Sequence, residues 1–510
     1  MEKIKLDTKI ALINPPYREM KHIVGPIFPI GLGYIKATME KIYSIKCDLF
    51  DFSVTNKSNE ELIKEYKLEK YSIIGISTFS LNFLNIVDFI KSLKNLGIII
   101  IVGGHHASLT KEKLLIDFDF IDFSIIGFGE HTFSILVNHL INNNLTSLCN
   151  IDGICYRKDD GSIVYNPPSY KNFDIKNIPF PDRNDIIYDY KLDIIDSRDK
   201  VLTISSSRGC PYLCTYCVNC NNNDLFIREV EDVLNEIKYL LNKNDYNHIE
   251  FIDCNFFLFP KRALSIIENI KRNFSDIGIN FQTRTDQIVK NKKYIEKIAN
   301  YSNISINLGV ESNSETVLKR YNKQTTPNIN QEAINILKAL SIEVTPYIIM
   351  FESLESINDI RKNFDFIIEN NLTKYNVVNN LYQTLMPFYG TEYYLKYKNY
   401  YTGSIHKRMI PIFLDNKVKS LYDVLYKYRN EFEDVINEII YNIHKKIDKN
   451  NDYNYIDELL NDANLIMKLP YSIFEYFLIM IEKYDTCDYN LFLNSNFVNI
   501  INTLRKKYND

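Results

Sequence analysis

Three cysteines at spacing C-x3-C-x2-C, Cys210, Cys214 and Cys217, carry the clearest chemistry in this 510-residue chain. They lie in Arg208-Gly209-Cys210-Pro211-Tyr212-Leu213-Cys214-Thr215-Tyr216-Cys217, just after the apolar run Val201-Leu202-Thr203-Ile204. That order reads as a strand delivering a loop that presents three thiolates on one side. Most Fe–S proteins supply four cysteines. Three would hold three irons of a 4Fe–4S cluster and leave the fourth open to a ligand. A structural zinc knuckle is the competing reading, because Cys220 follows closely enough to close a four-thiolate site. The nine cysteines are odd in number and form one tight cluster of metal spacing. This argues for thiolate ligation in a reducing compartment, not a disulfide framework.

The rest of the chain must position that loop. Its length predicts two to four domains, and 45% apolar with 24% charged residues is ordinary for a globular chain. A net charge of −4 provides no global basic field, so no nucleic-acid partner is expected. The N-terminus lacks the shape of a signal peptide. Apolar runs such as Gly97 to Gly103 are too short to span a bilayer. A cytoplasmic protein without a membrane span is therefore expected.

Strand and helix patterns alternate through the first 149 residues. Strands are predicted at Ile10–Asn14, Cys47–Phe52, Ser72–Ser77, Ile98–Val102 and Ser124–Gly127. Helices are predicted at Ile30–Tyr43, Leu84–Asn95 and Glu130–Asn142. Such alternation makes a Rossmann-like, doubly wound α/β sheet, whose ligands sit beyond the carboxyl ends of the strands. Unusual residues collect at those ends: Asn14-Pro15-Pro16, Ser77, Gly103-Gly104-His105-His106-Ala107 and Gly127-Phe128-Gly129-Glu130. Glycine there lets backbone approach a bulky ligand. A flavodoxin-like or receiver domain would show the same alternation. Residues 150–200 read as a β-hairpin around Asp159-Asp160-Gly161 and a proline-stiffened linker.

From 201 to 395 the alternation resumes. Strands are expected at Val201–Ile204, His248–Asp253, Ile279–Asp286, Ile304–Ser312, Val344–Met350 and around Tyr375–Val378. Six β/α units make a partial TIM-type (β/α)6 barrel with its site at the strand C-termini. Residues 396–510 read as a helical region, with helices at Leu421–Lys446, Tyr455–Met467 and Ser472–Tyr484. Its position alone suggests a lid or a docking surface.

Taken together, these motifs resemble the cobalamin-dependent radical SAM enzymes. The cysteine loop matches that superfamily's signature. Asn14-Pro15-Pro16, Pro29-Ile30-Gly31-Leu32-Gly33-Tyr34, Gly-Gly-x-His-Ala and Gly-x-Gly-Glu precede it in the order of the family's cobalamin-binding domain. Pro387-Phe388-Tyr389-Gly390-Thr391-Glu392 is similar to the segment that closes its barrel. The resemblance implies a 4Fe–4S cluster on Cys210, Cys214 and Cys217, with S-adenosylmethionine (SAM) on the open iron and cleaved to a 5′-deoxyadenosyl radical. It implies SAM contacts from Tyr216, Arg284, Glu311 and Ser312, with Asp253 facing SAM or substrate. It implies a cobalamin site drawn from Asn14, Ser77, Gly103, Gly104, His106, Gly127, Gly129 and Glu130. Methyl transfer to a carbon centre of a small-molecule or peptide substrate is the implied activity, with cyclisation, ring contraction or rearrangement as the alternative. An external one-electron reductant such as flavodoxin or ferredoxin is the implied partner. No catalytic acid, base or nucleophile is identified.

Two departures from the family pattern stand out. The D-x-H-x-x-G motif that supplies a lower axial cobalt ligand is missing, which leaves His105 and His106 as the nearby imidazoles. The turn after the fifth barrel strand reads Ile349-Met350-Phe351-Glu352-Ser353-Leu354-Glu355-Ser356 without glycine, and its bulk is expected to reshape the pocket. A methylthiotransferase-like enzyme would need a second cysteine triad, which the sequence lacks. A cobalamin- or metal-sensing binding protein is the non-enzymatic alternative.

Overall fold

The structure, a computed structural model, describes residues 8–17, 28–171, 173–181, 183, 185–189, 200–221, 224–373, 378–448 and 453–508. Strands β1 (Ile10–Asn14), β2 (Asp48–Asp51), β3 (Ile73–Ser77), β4 (Ile99–Gly103) and β5 (Phe123–Ile125) run parallel. The hairpin β6 (Ile154–Arg157) and β7 (Ile163–Asn166) continues the sheet antiparallel, and β8 (Ile187–Tyr188) closes the other edge. The order is β7-β6-β5-β4-β3-β1-β2-β8, so the hairpin of the linker is part of this sheet.

Why the sheet is covered on both faces can be read from β1. Ile10 and Leu12 join one core with Met39, Phe133, Leu136 and Val137, from helices Ile30–Lys41 and Gly129–Ile141. Ala11 and Ile13 point the other way, into a core with Phe83, Ile86, Ile90 and Leu93 of helix Phe83–Lys94. An uninterrupted apolar strand thus feeds two cores, as a parallel sheet requires. Helix Asn59–Tyr66, not anticipated from periodicity, starts at a capping box between Ser58 and Glu61.

The second sheet begins with β9 (Val201–Ile204), followed by a short hairpin of β10 (Ser207–Arg208) and β11 (Phe226–Ile227). Its other strands are β12 (His248–Phe251), β13 (Gly278–Arg284), β14 (Ile304–Glu311) and β15 (Glu343–Ile348), parallel in the order β15-β14-β13-β12-β9. Among the described residues the sheet has five strands where six were expected. Residues 375–377 lie outside the described residues, and Val378 begins the helix Val378–Tyr382. A parallel bridge from Phe351 to Thr384 takes the sixth place, because Phe351 N donates to Gln383 O and Leu385 N to Phe351 O.

The C-terminal helices Asn416–Asp448 and Tyr453–Tyr484 pack along each other and share one core with the barrel. Two helices were expected here, Tyr455–Met467 and Ser472–Tyr484; instead one helix runs through Pro470. Leu469, Tyr471, Ile473 and Phe474 are buried on both sides of the proline, and their burial offsets the roughly 3 kcal/mol cost of an interior proline. The segment Tyr455–Tyr484 is long and apolar enough to cross a membrane by length and composition alone, but half of its most apolar stretch is buried, as in a core helix. Phe474 stacks on Phe364 at 5.0 Å and 13°. Phe474→Ala is expected to cost about 3–5 kcal/mol, seen as a lowered denaturant midpoint for the barrel signal. An unchanged midpoint would mean that the helices and barrel unfold independently.

Candidate functional site

The carboxyl ends of the first sheet face the cysteine-bearing loop across a cavity of about 400 Å³. Ser77, Gly103, Gly104, Gly127, Gly129 and Glu130 line one side, and Ser205, Ser207, Arg208, Gly209, Ile252 and Cys254 the other. Leu12, Ile101, Ile125 and Phe133, from the first sheet and its covering helix, also line it and make that side apolar. Glycine is required at two of these positions. Gly104 has φ +97, and a Cβ there would stand 2.8 Å from Thr78 O. Gly127 has φ +84, and a Cβ would fall 2.1 Å from the Tyr170 hydroxyl. An apolar cradle with a polar rim at the carboxyl ends of a parallel sheet is where such folds bind ligands.

Two expected residues do not line this cavity. Asn14 is buried beneath it; its Nδ2 donates to Asp51 Oδ1 at 2.9 Å, and its Oδ1 accepts from the Tyr17 hydroxyl at 3.0 Å. His106 is also buried. Its Nδ1 meets Ser80 Oγ at 2.9 Å and its Nε2 meets His406 Nδ1 at 3.0 Å, while His406 Nε2 reaches Asp117 at 2.7 Å. Burial, then the neighbouring His406, pushes the His106 pKa down to about 3, so the ring is neutral. It docks the chain around His406 against the first domain. The exposed neighbour His105 lines the cavity instead. Two adjacent histidines at a helix start offered no periodicity to tell them apart.

Backbone bonds pin the cysteine loop from both sides. Thr215 N donates to Tyr321 O and Tyr393 N to Thr215 O, each at 2.9 Å. Thr215 Oγ1 donates to Arg320 O at 3.0 Å, and Asn322 Nδ2 to Leu213 O at 2.8 Å. Cys214 is buried, whereas Cys210 and Cys217 are half-buried. Among the described residues, no three His, Cys, Asp or Glu side chains converge on one ion-sized point. Three thiols carried on one loop, Cys210, Cys214 and Cys217, are a donor set that fits a cluster with one open iron. The Cys220 side chain lies outside the described residues.

Arg284, an expected SAM contact, has its donors engaged within the chain. Nη1 donates to Cys214 Sγ at 3.6 Å, Nε pairs with Asp286 at 2.7 Å, Nη2 donates to Lys323 O, and the guanidinium lies 3.8 Å from the Tyr212 ring centre. Burial pushes the Cys210 thiol up, and Arg284 and Lys323 oppose that shift. The cations therefore favour thiolates. Glu311 sits at a bulge of β14 with φ +64 and accepts from Lys323 Nζ at 2.9 Å. Burial, then Glu311, keeps the Tyr216 hydroxyl protonated. Tyr216, Glu311 and Lys323 thus converge beside the cysteines.

Ser312 turns away. It is buried, donates to Asn363 Oδ1 at 2.9 Å and accepts from Ser314 N at 3.1 Å, so it shapes the next helix start. Asp253 is likewise structural, accepting from Ser206 N, Ser206 Oγ and Ser207 Oγ at 2.9, 2.7 and 2.5 Å. Burial raises its pKa despite these donors. The bulky turn Ile349–Ser356 does not line the cavity among the described residues. Buried Glu352 pairs with Arg320 and accepts from the Tyr393 hydroxyl, bracing both anchors of Thr215 from behind.

Cys254 also lines the cavity. Burial, then Cys210 and Cys217, pushes its thiol up to about 12. Cys254→Ala is expected to leave iron and sulfide content unchanged by chemical analysis. A loss of iron would make it a ligand.

Two family models match the chain: the B12 binding domain over residues 20–137 and the Radical SAM superfamily over residues 204–367. An uncharacterized methyltransferase of Pyrococcus horikoshii is 27% identical over 341 residues, covering 66% of this chain and 72% of that protein. The anaerobic magnesium-protoporphyrin IX monomethyl ester cyclase of Rubrivivax gelatinosus is 26% identical over 338 residues, covering 65% of this chain and 60% of its own length. Among solved structures, the cobalamin-dependent S-adenosylmethionine radical enzyme OxsB, with aqua-cobalamin and S-adenosylmethionine bound, superposes with a TM-score of 0.72 at 20% identity. That match covers 97% of this chain and 75% of OxsB.

Proposed function

We propose, since the chain belongs to the cobalamin-dependent radical SAM enzymes, that it transfers a methyl group to a carbon centre of a small-molecule or peptide natural product. The observation that carries this reading is the shared cavity: the glycine-lined strand ends of one sheet and the cysteine loop of the other form opposite walls of one space. When bound, the cluster with SAM supplies a 5′-deoxyadenosyl radical and the corrinoid supplies the methyl group.

In this reading Cys210, Cys214 and Cys217 hold the cluster, and Arg284 sets the charge at Cys214. Tyr216, Glu311 and Lys323 hold the nucleoside end of SAM, with Glu311 fixed by its ion pair. Ser77, Gly103, Gly104, Gly127, Gly129 and Glu130 cradle the corrinoid. The apolar lining lowers the local dielectric, which strengthens the polar contacts made inside the site. An external one-electron reductant of the flavodoxin or ferredoxin kind serves the cluster. A second reading, radical cyclisation or rearrangement with the same cofactors, is favoured by the similarity to a cyclase.

Anaerobic purification tests the first step: the protein is expected to carry both a 4Fe–4S absorbance and a bound corrinoid, and a colourless protein with one zinc would falsify the reading. Product mass then separates the two activities. Methyl transfer adds the mass of one methylene to the substrate; rearrangement leaves the mass unchanged and cyclisation removes hydrogen.

A further inference from the structure

Glu130, on the first sheet's side of the cavity, meets Arg208 of the cysteine loop: Arg208 Nη2 lies 2.6 Å from Glu130 Oε1, with both side chains largely buried. Arg208 is fixed by three aromatic faces, Tyr34, Phe128 and Phe173, at 5.3, 5.0 and 5.8 Å from their ring centres. The second carboxylate oxygen, Glu130 Oε2, is buried and has no partner. A buried acceptor without a donor is uncommon in a folded chain, because it loses its water without replacement. Glu130 and Arg208 both line the cavity, so the ligand is the natural source of the missing donor.

We propose that Glu130 is a specificity-determining residue for the corrinoid, its free oxygen accepting a hydrogen bond from a neutral primary carboxamide on the ligand's rim and repelling a carboxylate there. Arg208 is the positioning residue that holds the carboxylate at that place. The pair is already neutral, and the wall behind it is apolar. A neutral N–H donor completes the site, whereas a ligand carboxylate would set two anions together in a desolvated space. The inference rests on the corrinoid reading of the cavity.

The full-length, cluster-loaded protein, freed of corrinoid, is titrated with cobinamide, whose rim is amidated, and with cobyrinic acid, its carboxylic counterpart, following corrinoid absorbance. Wild type is expected to prefer cobinamide by about 100-fold or more. Because other rim positions also differ between the probes, the decisive quantity is the change in that ratio: Glu130→Gln, which lacks the charge, should narrow it by about tenfold or more. Should Glu130→Gln fail to fold, Glu130→Asp keeps the charge but withdraws the oxygen by one methylene, and is expected to weaken cobinamide binding while still rejecting the acid. Equal binding of the two probes by wild type overturns the inference alone. So does an unchanged ratio in Glu130→Gln, or unchanged cobinamide affinity in Glu130→Asp. Failure of wild type to bind either probe overturns the corrinoid reading along with it.

Discussion

Cys214→Ala is expected to abolish 5′-deoxyadenosine formation while leaving a bound corrinoid in place. Cys214 is the buried member of the triad, and Arg284 Nη1 is aimed at its sulfur from 3.6 Å. Removing the thiolate takes away one of three iron ligands and leaves Arg284 Nη1 without its sulfur partner, and both effects work against the cluster. The corrinoid side is built from a different sheet, with its own two cores on either face of β1, so its strand ends should keep their positions. The measurements are iron content, deoxyadenosine by chromatography and the corrinoid absorbance of the same sample. Wild-type deoxyadenosine would remove Cys214 from the cluster, and joint loss of corrinoid would mean the two sites do not stand on separate cores.

The split between what the sequence revealed and what it hid follows from the range of the interactions. Periodicity and glycine placement are local, so the strand ends at Ser77, Gly103, Gly104, Gly127 and Gly129 were readable, and they line the cavity. The cysteine spacing was readable for the same reason. The direction of a polar side chain is decided by partners far along the chain. His106 is claimed by His406, 300 residues away. Ser312 is claimed by Asn363, and Arg284 by Cys214 on a different loop. No pattern within a few residues announces such pairs. The helix through Pro470 is a further case, where burial of Leu469, Tyr471, Ile473 and Phe474 overrides a strong local signal. The bulky turn at Glu352 was seen as unusual, but its role as a brace behind Thr215 depends on Arg320 and Tyr393.

Gly209→Ala is expected to be nearly as damaging as loss of a cysteine, although it removes no ligand. Gly209 joins Arg208, which meets Glu130, to Cys210, the first cysteine of the triad. Its φ is +87, a left-handed conformation that costs an L-residue about 1–2 kcal/mol. The steric problem is worse: a Cβ would stand 2.0 Å from Asp224 O, in backbone beside β11, which pairs with β10 through Arg208 and Phe226. Backbone on both sides of the clash is hydrogen-bonded, so the loop must shift. A misplacement of order 1 Å costs about 100-fold in a positioned reaction. Deoxyadenosine formation should therefore fall by about 100-fold, with lowered iron content. Gly97→Ala separates the two causes, because Gly97 has φ +80 but open space around its Cβ position. It carries the backbone strain without the clash and without a place in the site, so it should lower stability slightly and leave turnover alone. If Gly209→Ala retains full iron and wild-type turnover, the loop between the corrinoid wall and the cluster is compliant, and the Glu130–Arg208 contact is then no rigid link between the two cofactors.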